Sequence, residues 1–261
     1  MKTHHLVATV QALTSGQHLT QAALLYRTVF GYTDPVDGIS PRLLRSLVDN
    51  GGLVVGALDS NNEVVGFSYG FLGTDAQGTF HYSQAAAVSA SFQGQQLGRR
   101  LKQEQARLAT LQGLSRMQWA YDPVQVRNAH FNVNILGAYG IKFVPDYYQN
   151  GGSDRVIVQW DLSAPGATSA ASANNPGGET FRVEVSRALA GIRDSQPEMA
   201  ERMSSVIRKE LQSGFERGLL LTSCELTDHV TATYVFTSGP RNNAAHGESP
   251  TMPDNSRRMP A

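Results

Sequence analysis

Residues 78–112 constrain the fold of this chain more than any other stretch. The strand pattern of 78–89 runs through the small and polar residues Ser89–Gln96 into a helix expected over 95–112, where Leu97, Leu101, Leu108 and Leu111 line one stripe. Before it, apolar strand patterns at 52–58 and 63–72 are joined through Ser60-Asn61-Asn62, a hairpin turn signal, and a strand at 115–121 follows it. One strand–turn–helix unit inside a run of hairpins is an α+β arrangement. It is not the alternating rhythm of a doubly wound sheet.

The flanking segments complete the pattern. A strand near 6–12, a helix near 19–30 with Thr20 as its N-cap, and a helix near 41–50 opened by Ser40-Pro41 precede the unit. A helix near 127–136 and strands at 138–144 and 154–162 close a first region, expected to form one domain over 1–162. Residues 163–178 have the Pro, Gly, Ser and Ala content of a linker. A smaller β-α-β-β unit is expected over 179–236, with strands at 180–185, 219–226 and 230–236. Its helix over 196–217 carries a Ser195/Glu198 capping-box spacing, Pro197 in the first turn, and Met199, Met203, Val206, Ile207, Leu211 and Phe215 on one face. About 58 residues have little core of their own, so this unit should dock on the first domain, and its amphipathic helix also suits a homodimer contact. Residues 237–261 read as a disordered tail.

With 22 basic and 22 acidic residues the chain is formally neutral, so no global field gathers nucleic acid or an anionic membrane. No segment reaches the roughly 20 apolar residues of a membrane span, and Met1–Val10 lacks the apolar core of a leader. The lone Cys224 lies in an apolar run and reads as a core residue, in keeping with a cytoplasmic protein. His4-His5 has no companion ligands nearby, so no metal site is expected.

The turn at 88–101 can carry chemistry. A helix N-terminus leaves backbone N–H groups without intrahelical partners and carries partial positive charge, and Gly lets a phosphate approach. No Lys-Ser/Thr follows the glycines, which argues against a P-loop. The stretch resembles the acyl-CoA pyrophosphate loop of GNAT acetyltransferases, with Gln93 at its first position and Gly98 at its last. Its fourth position, commonly Gly, is Gln96; if φ is positive there, a Cβ costs roughly 1–2 kcal/mol. Trp119-Ala120-Tyr121-Asp122-Pro123, Arg127-Asn128-Ala129-His130-Phe131-Asn132 and Leu136-Gly137-Ala138 follow in an order similar to a predicted-acetyltransferase branch of the GNAT superfamily with an α/β C-terminal extension.

The resemblance implies a twisted, mostly antiparallel sheet splayed between the strands at 78–89 and 115–121. The pantetheine arm of acetyl-CoA, or of another acyl-CoA, would enter that cleft. The pyrophosphate would rest on Gln93, Gly94, Gln95, Gln96, Leu97, Gly98 and Arg99, the thioester near Ala87, Val88 and Ser89, and Asn128 and Phe131 would border the arm. The acceptor would be the amine of a small molecule or peptide. Many relatives place a tyrosine acid four residues before the Gly matched by Gly137; here that position is Val133, with Tyr121 and Tyr139 out of register. Asp122 is the first candidate base, read otherwise as an Asp-Pro turn, and His81 the second, read otherwise as a strand histidine. Tyr147-Tyr148 could wall a substrate pocket. The rival reading is a degenerate GNAT fold that binds acyl-CoA, or nothing, and serves as an interaction module.

Overall fold

The computed structural model describes residues 8–162, 178–193 and 195–238. His4-His5, the expected linker up to residue 177, and the tail from 239 onward lie outside them. The described residues build one ten-stranded sheet with helices on both faces, an α+β architecture as expected.

The strands are β1 (Thr9–Ala12), β2 (Leu53–Leu58), β3 (Val64–Asp75), β4 (Gly78–Val88), β5 (Arg116–Tyr121), β6 (Tyr139–Val144), β7 (Arg155–Asp161), β8 (Thr180–Ser186), β9 (Leu219–Glu225) and β10 (Thr231–Ser238). They lie in the order β1-β2-β3-β4-β5-β7-β6-β9-β10-β8. Every neighbouring pair is antiparallel except β4 and β5.

Both faces of the centre are covered, which is why β2 and the start of β3 read as continuous apolar runs. Helices α1 (Gly16–Phe30) and α2 (Pro41–Asp49) pack Leu19, Ala22 and Leu44 against Val54, Phe67 and Tyr69. On the opposite face α3 (Leu97–Leu111) packs Leu97 and Leu101 against Val55, Ala57 and Val65. Leu111, expected in the same stripe, is exposed because it lies in the last turn, beyond the sheet.

Three local expectations need correction. Ser15, not Thr20, caps α1, accepting from the His18 N–H at 3.2 Å, while Thr20 turns its hydroxyl back to the Gly16 carbonyl inside the helix. The helix expected over 127–136 is a short α4 (Val126–His130) that continues as a π turn, Phe131–Ile135. The Ser195/Glu198 capping box does not form. A short α5 (Leu189–Ile192) leads directly into α6 (Pro197–Glu216), and the Ser195 hydroxyl turns back to the Ile192 carbonyl instead.

The C-terminal strands extend the sheet through a narrow seam. Strand β9 meets β6 at one registered pair, Gly140↔Leu221. Side chains complete the junction: Asn134, in the π turn, accepts from the Cys224 N–H at 2.9 Å and donates to Ser223 Oγ at 3.2 Å. The Tyr234 hydroxyl donates to the Pro123 carbonyl at 2.6 Å, and Arg208 pairs with Asp154 at 2.7 Å. Gly140 is required at the seam. A Cβ there would lie 2.8 Å from Leu221 Cβ and 3.2 Å from Val156 Cγ1. Gly140→Ala is therefore expected to cost about 1–3 kcal/mol and lower the melting temperature by several degrees in a thermal scan. An unchanged melting temperature would show that the seam yields freely.

Candidate active site

Strands β4 and β5 pair at two positions only, His81↔Met117 and Tyr82↔Gln118. Beyond these the strands part, so Ser83 and Trp119 stand at the vertex of a cleft that opens toward Val88 and Tyr121. The vertex is deformed further by a β-bulge. The β3 ladder passes from Tyr69↔Ala85 to Gly70↔Ser83, leaving Gln84 as the extra residue.

The open end faces the N-terminus of α3. Gln96 occupies the N-cap with φ 60° and ψ 11°, in the left-handed region, and its side chain caps nothing. Gly94, at φ 74°, shares that region. The loop braces itself: Gln93 Nε2 donates to the Val88 carbonyl at 3.1 Å, and Gln95 Nε2 to the Ser91 carbonyl at 3.1 Å. Gly98 and Phe131, far apart in sequence, come together here, since a Cβ on Gly98 would lie 3.9 Å from Phe131 Cζ. Leu97 and Ala87 are buried in the flanking cores, Val88 and Ser89 are half-buried at the strand end, and Arg99 and Asn128 are exposed.

Asp122 terminates β5, but its carboxylate is engaged. Arg193 reaches it with both terminal nitrogens, at 2.5 and 3.2 Å, and the Val124 N–H donates to it at 3.1 Å. A carboxylate so occupied joins the sheet to the C-terminal unit and is poorly placed to take a proton from an acceptor. His81 is fully buried, and neither ring nitrogen has a hydrogen-bond partner among the described residues. Desolvation, and then the nearby Lys102 charge, push its pKa down to about 4. It is a neutral imidazole at ordinary pH and too weak a base for an alkylamine.

Lys102 carries the feature that periodicity did not reveal. Its side chain rises from α3 to the vertex, where Nζ donates to Ser83 Oγ at 2.7 Å and lies 4.0 Å from the centroid of the Trp119 ring. Ser83 in turn donates to Gln105 Oε1 at 2.7 Å, and Trp119 Nε1 to Asn132 Oδ1 at 3.1 Å. Lys102 is only 5% exposed and has no carboxylate partner among the described residues. Burial lowers its pKa to about 7. A lysine flanking an apolar stripe normally snorkels to solvent. The available signal was that Lys102 and Gln105 share a helical face with Ala106 and Ala109, where small residues permit close approach to the strands.

On the other face of the vertex the Tyr82 and Tyr147 hydroxyls lie 3.0 Å apart, with Tyr148 packed edge-on against Tyr147 and Arg155 over the Tyr148 ring. Burial pushes the Tyr82 pKa up, so its phenol stays protonated. Val133, where the resemblance implied a tyrosine, is buried and offers no proton.

A strand parting from its parallel neighbour, followed by a turn and an uncapped helix N-terminus, sets backbone donors at the mouth of a cleft. Residues 21–132 match the model of the acetyltransferase (GNAT) family. Among solved structures, an acetyltransferase of the GNAT family from Staphylococcus aureus Mu50 is 12% identical, spanning 60% of this chain and 99% of that one, with a TM-score of 0.46. A GCN5-related N-acetyltransferase from Kribbella flavida is 17% identical over 59% and 97% of the two chains, with a TM-score of 0.47. A chain of the NatC complex bound to Gag peptide and CoA is 13% identical over 59% and 98%, with a TM-score of 0.49. No curated protein matches the sequence.

Two stability outcomes follow from this geometry. Gln96→Gly removes a left-handed residue bearing a Cβ, relieving roughly 1–2 kcal/mol, against about 0.4–1 kcal/mol of added freedom in the unfolded chain. A small rise in melting temperature is expected, and a fall would show that the Gln96 side chain holds the loop. Lys102 releases its proton near pH 7 in the folded state and near 10.5 when unfolded. The unfolded chain then binds more protons between those values, so stability rises with pH across the window. Lys102→Met should be more stable than wild type at neutral pH, with an advantage that shrinks toward pH 10.5 in urea titrations. A pH-independent difference would contradict the buried, depressed lysine.

Proposed function

We propose that the protein transfers an acyl group, acetyl in the first instance, from acyl-CoA to the amine of a small molecule or peptide. The observation that carries this reading is the cleft between β4 and β5, which opens onto the N-terminus of a 15-residue helix that no side chain caps. The N–H groups of Leu97, Gly98 and Arg99 have no intrahelical acceptors and suit a pyrophosphate. The left-handed backbone at Gly94 and Gln96 curls the loop so that these donors face outward, and Gly98 leaves room beside Phe131.

The co-substrate supplies an activated carbonyl as its thioester. The protein supplies position and polarity. Ala87, Val88 and Ser89 offer the strand edge of β4 that β5 has vacated, with Asn128 and Phe131 bordering the opposite wall. The bulge at Gln84 frees backbone from the ladder, and a donor there would polarise the carbonyl. The amine approaches from the face of Tyr82, Tyr147 and Tyr148. We assign Asp122 and His81 supporting roles, Asp122 by fixing the end of β5 through Arg193, and His81 by filling the vertex as a neutral group.

We further read 1–162 as the acyl-CoA-binding domain, 163–178 as a linker and 179–236 as a unit that shapes the cleft from behind or pairs two copies, in a cytoplasmic protein. No helix among the described residues is long and apolar enough to cross a membrane.

Calorimetric titration with acetyl-CoA should give a Kd on the order of micromolar, near −8 kcal/mol. A pantetheine fragment lacking the pyrophosphate should not bind detectably. Thiol release across a broad amine panel then identifies the acceptor. Silence from both wild type and Gln96→Gly in calorimetry would sink the acyl-CoA reading and leave the interaction module. Binding without turnover of any amine would leave an acyl-CoA-binding protein that has lost its chemistry.

A further inference from the structure

We propose that Lys102 is the group that protonates the departing CoA thiolate. The inference rests on the acyl-CoA reading above and adds to it the identity of the acid.

The geometry comes first. Strands β4 and β5 stay in register through Tyr82↔Gln118, so Ser83 and Trp119 are the first residues to separate. Lys102 Nζ lies between them, bonded to Ser83 Oγ at 2.7 Å and 4.0 Å from the Trp119 ring centroid. It thus closes the inner end of the cleft whose outer end is the α3 N-terminus. An arm that enters at Gln93–Arg99 and runs back along β4 ends facing this ammonium.

The electrostatics point the same way. A buried cation is normally paired with a carboxylate, and among the described residues Lys102 has none. His81 is the titratable group that faces it from β4, and it is neutral. Gly66, Ser68 and Gly70 on the α3 face of β3, Trp119 on β5 and Asn132 in the π turn bring no charge. Among the described residues Gln105 Nε2 and both His81 ring nitrogens find no partners on the same side, so the vertex is polar beyond its internal needs. An unpaired cation at the inner end of a substrate cleft is suited to an anion that exists only during reaction. The thiolate is that anion. An ammonium whose proton burial has loosened also gives it up more readily than an exposed lysine does.

The step balances. The acceptor nitrogen forms a bond to the carbonyl carbon, and the carbon–sulfur bond breaks with its electron pair on sulfur. The Lys102 ammonium passes a proton to that sulfur, giving the free thiol. The proton lost by the acceptor nitrogen restores the ammonium, directly or through solvent. Ser83, held by its donation to Gln105, keeps a lone pair aimed at Nζ and so positions it.

The test uses the full-length protein and free CoA, with no acceptor required. The thiolate ultraviolet band of bound CoA is titrated against pH for wild type, Lys102→Met and Lys102→Arg, with binding of CoA by each established by calorimetry. The thiolate should form at a pH lower by about 1–3 in Lys102→Arg, whose charge persists across the titration, than in Lys102→Met. Wild type should match Lys102→Arg at pH values where Lys102 is protonated and approach Lys102→Met above them. With an amine from the panel, kcat should fall about 10²-fold or more in both variants while the Kd for acetyl-CoA changes little, since arginine keeps the charge but does not give up a proton. Wild-type kcat should decline above pH 7 as Lys102 loses its proton, and that decline should be absent in Lys102→Met. Identical thiol titrations in Lys102→Arg and Lys102→Met, both binding CoA, would overturn the assignment and leave the acyl-CoA reading intact. No CoA binding by wild type would overturn the acyl-CoA reading and this assignment with it.

Discussion

Two neighbouring parallel strands cannot be joined by a tight turn, and that constraint organises this molecule. In an otherwise antiparallel sheet, β4 and β5 run the same way, so the chain must leave the sheet, cross its face as α3 and return. The crossover places the start of a 15-residue helix beside the end of β4. Because the two strands then part after two residue pairs, the edges they would have shared face an opening. An anion-attracting helix start, an unpaired strand edge and a polar vertex thus all follow from one change of strand direction.

Much of this was legible in the sequence because it is written in local periodicity. The hairpin at β2–β3, the apolar stripe of α3 begun by Leu97 and Leu101, and the β4-to-α3 transition all show in spacings of two or three to four residues. The positive φ of Gln96 could be framed as a question from sequence, and the backbone answers it. What escaped was decided by partners distant in the chain. Asp122 looks like a free carboxylate until Arg193, 71 residues away, is folded against it. Lys102 looks like an ordinary solvated residue until β4 and β5 close over it. The missed Ser15 cap and the unformed capping box at Ser195 are smaller cases, in which competing local acceptors outbid a sequence motif.

The C-terminal unit is tied to the sheet by polar bonds more than by strand pairing. One registered residue pair joins β6 to β9, whereas Asn134, Tyr234, Arg208 and Arg193 each reach across. Arg193 ends on Asp122, the last turn before α4, so the unit bears on the wall of the cleft. The cores on either side of the seam are continuous, with Leu221 and Val156 in one cluster. Such a junction specifies orientation through directional bonds and leaves the apolar contact to supply adhesion.

The π turn at Phe131–Ile135 gives that junction its register. A π turn accommodates one residue more than an α turn, and each residue advances a helix by about 100°. Removing a single residue from this segment would therefore do more than shorten it. It would swing Asn134 away from the Cys224 backbone and Phe131 away from Gly98 together, uncoupling the C-terminal strands and the cleft wall in one event. In terms of tolerated change, this stretch should accept substitutions at its exposed positions far more readily than any alteration of its length.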